Sequence, residues 1–263
     1  MEMRKRRAVD RKSERKGKEA PIMKGNGTNG NVETGAPNLF RLRIETAIFS
    51  AADGVLRIAM AEEENGLNLP SAIAEEGESP NDVLRRVLRE AGAEGARAEQ
   101  RRICADEGNV LTVLFIAAVP EFSEKEGMRT CRIESDKSEV RIFGENGEKT
   151  AGDEPAGKLE DSLKEAMAGV SERIEDSDLA FAFLKNPSDF AVPDLKKAYK
   201  AASGKNPDNG NFAKWIRVRN GREGWPAIEE IGLTRGAEGG KGRRAKRFAV
   251  LGEPEGRKRF GRE

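Results

Sequence analysis

Histidine is absent from all 263 residues. Its absence excludes imidazole acid–base chemistry, Ser-His-Asp and Cys-His nucleophiles, and zinc sites that use a histidine ligand. Cysteine is nearly absent. Cys104 and Cys131 are too few and too isolated for a disulfide framework, so a reducing, cytoplasmic setting is expected. Aromatic residues reach only 5%, with one Tyr and two Trp, and hydrophobic residues only 37%. No run approaches the ~18 apolar residues of a membrane-spanning helix. The first residues lack the apolar core of a secretory signal, so neither a membrane nor a secreted protein is expected. Charged residues make up 35% of the chain and nearly cancel, at a net of +1. Their distribution is uneven. Acids outnumber cations over residues 36–120, whereas cations lead by about two to one over 1–35 and 205–263. An acidic middle with basic ends points to a polyanion met at one end of the molecule.

The length suffices for two domains. Residues 1–36, rich in Lys, Arg, Gly and Asn, read as a disordered basic tail. Regular structure is expected from Leu39, with a strand to Ser50, a turn at Asp53-Gly54 and a returning strand over Val55–Ala61. Further strands are expected over Glu99–Ala105 and over Val110–Val119, whose VLTVLFIAAV suits burial on both faces. Thr130–Ile133 and Val140–Phe143 are weaker strand signals. Leu159–Val170 reads as a helix, and Asp178–Leu184 fits helix or strand equally.

Between these strands lies Leu69–Ala93, LPSAIAEEGESPNDVLRRVLREAGA. Val83, Leu84, Val87, Leu88 and Ala91 share one helical face, with Ser79 as cap, Pro80 in the first turn and Asp82 at the positive end of the dipole. This stretch resembles the Nudix box, a loop–helix–loop that holds magnesium over a nucleotide diphosphate. Leu69-Pro70 and Glu75-Glu76-Gly77-Glu78-Ser79 match its front half, and Ser71-Ala72 stand where the family has a glycine pair. The back half fits in two registers. With Glu78 as the first Glu, Arg86 is the family Arg, Glu90 is the one surviving helical carboxylate, and Val87 and Ala91 replace the others. With Gly92 as the final Gly, Arg85 and Glu90 match, Arg86 and Arg89 occupy acid positions, and Gly77 falls on the first Glu. Magnesium wants several oxygen ligands in near-octahedral order, and one Glu among three Arg supplies a poor site. The resemblance therefore implies the fold, an α/β/α sandwich with a mixed sheet over residues 37–158, without its catalysis. Glu75, Glu78, Arg86 and Glu90 are then a vestigial box, and neither a catalytic residue nor a metal or cofactor is expected.

The last third carries different punctuation. Pro193-Asp194 opens a helix with Leu195, Ala198, Tyr199 and Ala202, ended by Gly204. Asn206–Gly210 reads as a turn, and Asn211 opens a second helix with Phe212, Trp215 and Ile216 on one face. Gly239-Gly240-Lys241-Gly242-Arg243-Arg244-Ala245-Lys246-Arg247 then precedes Phe248-Ala249-Val250, the pattern of a basic hairpin. Together with Ala182-Phe183-Leu184, Pro187 to Leu195, Tyr199-Lys200-Ala201 and Asn211-Phe212, this resembles the Nudix-related transcriptional regulators of NAD and sugar metabolism, in which a winged helix follows a Nudix-like domain. The segment Arg222–Gly232 looks longer than that family's connection to the wing, and Gly210 stands where the family has an Arg.

The resemblance implies a connecting helical segment over 159–185, a smaller α+β winged-helix domain over 186–252 and a basic tail over 253–263. It implies a homodimeric regulator that binds double-stranded DNA and senses a nucleotide sugar such as ADP-ribose. The DNA-facing residues would be Asn211, Lys214, Arg217, Arg219, Lys241, Arg243, Arg244 and Lys246. Two readings from other classes stand beside it, an active hydrolase of a nucleoside diphosphate derivative such as ADP-ribose and an interaction scaffold, for example one that works on RNA. The missing helical acids separate the regulator from the hydrolase, and the Gly-spaced cations separate both from the scaffold.

Overall fold

The computed structural model describes residues 40–251, less 52, 65, 107, 137–138, 145–156, 223–224 and 234–245. A ten-residue strand, β1 (Arg41–Ser50), turns at Asp53-Gly54 into β2 (Arg57–Glu63), with Gly54 at the positive φ of 85° that the turn demands. Two three-residue strands, β3 (Gly66–Asn68) and β4 (Ser71–Ile73), lead to helix α1 (Pro80–Glu90). Strands β5 (Arg97–Asp106), β6 (Val110–Val119), β7 (Met128–Asp136) and β8 (Glu139–Phe143) complete a mixed sheet, ordered β5-β6-β1-β2-β7-β8. Helix α2 (Lys158–Asp176) follows.

Strand β1 organises this sheet. It runs parallel to β6 along its whole length, while on its other edge Arg43–Glu45 pair with β4 and Ile48–Ser50 with β2, both antiparallel. The sheet opens between those two partners, which brings the loop before α1 to its rim. The alternation of β6 then assigns the two faces. Val113, Phe115, Ala117 and Val119 pack with Ile44, Ile48 and the Val83, Leu84, Val87 and Leu88 face of α1. Leu114, Ile116 and Ala118 pack with Ala47, Phe49 and the Leu163, Ala166, Val170 and Ile174 face of α2. Each of the Val, Leu, Ile and Phe side chains contributes about 1.5–3 kcal/mol of burial. A strand apolar at nearly every position is stable only between two helical layers, and the result is an α/β/α sandwich. Its second helical layer, α2, lies in the 159–185 segment read as a connection rather than within the 37–158 expected for the sandwich.

Helix α2 is also tied to β5. A bulge between Gln100 and Arg102 aims Arg101 at it, and the guanidinium donates to Glu165 (2.6 Å) and Glu172 (2.9 Å). Gly169 makes room for this crossing, since a Cβ there would lie 3.1 Å from Arg101 Cδ.

Beyond α2 come the four-residue helix α3 (Leu179–Ala182), β9 (Phe190–Ala191), α4 (Val192–Ser203), α5 (Asn209–Arg219), β10 (Ala227–Leu233) and β11 (Lys246–Leu251). The last three strands form a second sheet, β10-β11-β9. Both tryptophans, the one tyrosine and Phe181, Phe190, Phe212 and Phe248 join in a continuous chain of ring contacts through this region.

Three further expectations change. Helix α5 begins at Asn209 rather than Asn211, because the Asp208 carboxylate accepts from the N–H groups of Gly210 (2.8 Å) and Asn211 (3.1 Å). Arg222–Gly232, read as connection, contains most of β10, whose exposed Glu229 and Glu230 hide its alternation. Strands β3, β4 and β9 were not expected, because they are two or three residues long. Among the described residues no helix is long and apolar enough to cross a membrane. The tails at 1–36 and 253–263 lie outside the described residues.

Candidate functional site

The box stretch folds as a capped helix behind a hydrogen-bonded loop. The Asp82 N–H donates to Ser79 Oγ (3.3 Å), and the Ser79 N–H donates back to Asp82 Oδ2 (3.3 Å), which closes a capping box. One turn later Arg86, half-buried, reaches over the loop. It donates to both carboxylate oxygens of Glu78 (3.1 and 2.7 Å) and to the Ile73 carbonyl (3.0 Å). Glu78 in turn accepts from the Glu75 N–H (3.0 Å). Hydrogen bonds from Arg86, then from the Glu75 backbone, hold the Glu78 carboxyl below its ordinary value, and the same pairing raises Arg86. This bracing is present at neutral pH and is lost as acid titrates Glu78 through its lowered value.

The two-pronged pair between Glu78 and Arg86 joins the two residues that stand at the box Glu and Arg in the first of the two registers. Val87 and Ala91 then occupy two of the helical acid positions, each 2% exposed. Glu90 and Glu75 are exposed. Among the described residues no cluster of Asp, Glu or Cys could hold a metal ion.

A cleft of about 630 Å³ opens at the far end of α1. Ala59 of β2, Ala91, Phe122, Lys125, Met128 and Arg129 are among its lining residues. Its shape depends on one close approach. Gly92, at φ 69°, follows the helix, and its carbonyl accepts from the Ser123 N–H (3.1 Å). A Cβ at Gly92 would overlap the Ser123 carbonyl oxygen. Gly92→Ala combines that overlap with a left-handed backbone, so it is expected to destabilise by more than about 1 kcal/mol. It is also expected to displace the 122–126 wall, and a urea midpoint equal to the parent's would contradict this. The cleft wall escaped the sequence reading because residues 121–127 have no periodicity.

At the other end of the chain, Asn211, Lys214 and Arg217 recur at three-residue spacing on the exposed face of α5. Asn211, displaced from the cap by Asp208, lies in the first turn with its side chain exposed. Arg219 is apart from this face. It donates to Asp176 (3.0 Å) and to the Glu175 carbonyl, with its guanidinium over Trp215 and Trp225. Lys246 pairs with Glu230 (2.6 Å) across the β10–β11 rungs. Lys241, Arg243 and Arg244 lie outside the described residues.

No protein-family model matches the sequence, and no curated protein matches it. Solved structures do match in fold. A MutT/Nudix family protein from Enterococcus faecalis is similar at 15% identity and a TM-score of 0.60, over 81% of this chain and 87% of that one. NrtR from Shewanella oneidensis is similar at 16% identity and a TM-score of 0.58, over 80% and 94%. The same protein in complex with a 27mer DNA is similar at 16% and 0.58, over 80% and 93%. At such identities the likeness is one of fold, and its extent is more than the large sheet, α1 and α2 can supply. The chain therefore has the Nudix fold, and the likeness continues into the C-terminal helices and sheet.

Proposed function

We propose that the chain is a DNA-binding regulator whose Nudix-like part, the large sheet with α1 and α2, takes a nucleotide sugar into the cleft without hydrolysing it. The observation that carries this reading is the identity of Ala91. In the register that the Glu78–Arg86 pair fits, the position at the end of α1 that would carry an acid beside the cleft holds a buried Ala instead. The lining is mixed: Phe122 offers a face for a base, and Lys125 and Arg129 offer charge for a diphosphate beside the acids Glu124 and Glu126.

The DNA side of the reading is supported by element order. A strand, two helices and a two-stranded hairpin, β9-α4-α5-β10-β11, follow the plan of a winged helix over residues 186–252. Helix α5 stands in the position of the recognition helix and exposes Asn211, Lys214 and Arg217. NrtR, similar over 80% of this chain, is bound to DNA in its own complex. A homodimer would present two such helices to a two-fold site.

The test is binding of the full chain to genomic DNA fragments with and without a panel of nucleotide sugars that includes ADP-ribose. Retention of a subset of fragments, altered by one of the sugars, is expected. Retention of none, with no sugar bound, rejects the reading.

A further inference from the structure

We propose that Arg219 is a positioning residue that latches α5 onto the last turn of α2 and makes no DNA contact. The inference rests on α5 being the DNA-reading helix. By sequence Arg219 and Arg217 look alike, two cations near a helix end. On the helix they are 200° apart by the ~100° turn per residue, and Arg219 shares a side with Trp215, four residues earlier. Its guanidinium is 5.0 Å from the Trp215 ring centre and 5.8 Å from that of Trp225. Its Nη1 reaches the Glu175 carbonyl and Asp176 Oδ1, so a helix end that leaves carbonyls without partners receives a cation.

The same turn of α2 is held from two other places. The Tyr199 hydroxyl of α4 donates to Glu175 Oε1 (3.2 Å), and Lys205, between α4 and α5, pairs with the same oxygen. Acids at a helix C-terminus oppose the dipole. Here Glu175 and Asp176 are offset by three partners drawn from α4, the turn and α5. Helix α2 is itself clamped to β5 by Arg101 and packed across β6. The orientation of α5 is therefore set from the large sheet through the end of α2. The Trp225 indole N–H is buried with no partner among the described residues, so packing and the Arg219 cation hold that ring.

The chain's two tryptophans both touch this guanidinium, so their emission reports the latch without DNA. Four variants of the full chain decide the matter: Arg219→Gln, Arg219→Lys, Asp176→Asn and, as the cationic comparison, Arg217→Gln. Arg219→Gln and Arg219→Lys are both expected to shift the tryptophan emission. Both should lower the ratio of preferred-site to random-DNA binding about tenfold and leave the salt slope unchanged. Asp176→Asn, which removes one exposed acceptor, should do the same to a smaller degree and covers the case in which Arg219→Gln does not fold. Arg217→Gln should lower the slope by about one and leave the emission unchanged. The latch is overturned if Arg219→Lys binds like the parent while Arg219→Gln lowers the slope by about one, since that is the behaviour of a phosphate contact. Unchanged emission in Arg219→Gln overturns it whether or not the parent binds DNA, whereas shifted emission in a parent that binds no DNA rejects only the DNA-reading role of α5.

Discussion

Purified protein incubated with ADP-ribose and magnesium is expected to release no AMP above the uncatalysed rate. Enzymes supply rate factors of about 10⁶ or more, and on the proposed reading α1 does not carry the acids that would supply them. A divalent ion needs several hard oxygen ligands and the attacking water needs a base. In the register that the Glu78–Arg86 pair fits, α1 brings Glu90 alone, flanked by Arg85, Arg86 and Arg89, and Glu78 is already occupied by Arg86. Glu90→Gln should accordingly change nothing. The register makes a second, sharper demand. Val87 is packed among Ile44, Ile48 and Leu84, so Val87→Glu places a charge in the core and should cost several kcal/mol. Ala91, just past α1, belongs to the same core and is as little exposed as Val87, so Ala91→Glu should also be costly. Arg89→Glu, the acid restored under the other register, lies on the exposed face and should cost under about 0.5 kcal/mol. Magnesium-dependent AMP release that Glu90→Gln abolishes would sink the claim of inactivity.

Much of the fold can be read from periodicity, because the elements that define it are long and one-sided or wholly apolar. Strand β6 occupies Val110–Val119, the run read as buried on both faces, and α1 starts behind Ser79, its expected cap. Gly204 ends α4 at φ 68°, where a helix stop was expected. The elements that escaped are short or polar. Strands β3, β4 and β9 exist only by pairing with longer partners, a property of the assembled sheet rather than of three residues.

The register of the box is not legible in the sequence. Two placements are equally consistent with spacing, and the contact that bears on the choice, between Glu78 and Arg86, forms across a folded loop. The α5 cations show the same limit. A helical pattern places Lys214, Arg217 and Arg219 on the same element, but which of them faces solvent depends on Trp225, a residue with no periodic signal, and on the distant Asp176.

DNA affinity is expected to fall steeply with salt, and base reading is expected to come from Asn211. With Arg219 committed to α2, the cations left for phosphate are Lys214, Arg217, Lys241, Arg243, Arg244 and Lys246, the last shared with Glu230. About four to five contacts from this set give a slope of log K against log salt of roughly −3.6 to −4.5. Lys214→Ala and Arg217→Ala together should remove roughly two units of that slope. Substitution is a cleaner test than truncation, because Leu195, Ala198, Phe212 and Ile216 belong to the core shared with α2 and the large sheet. Asn211 can pair with adenine through two hydrogen bonds, and its place in the first turn of α5 is where a recognition helix presents base-reading side chains. Asn211→Ala should therefore cost roughly 1–3 kcal/mol on the preferred site and little on random DNA. Because Asp208 holds the cap, the same substitution should leave the melting temperature near the parent's, while Asp208→Ala should lower stability by about 1 kcal/mol. Arg243→Ala and Arg244→Ala should weaken both kinds of DNA almost equally, since Gly-spaced cations suit phosphate better than base edges. An Asn211→Ala protein with an unchanged ratio of preferred to random binding rejects the base-reading role.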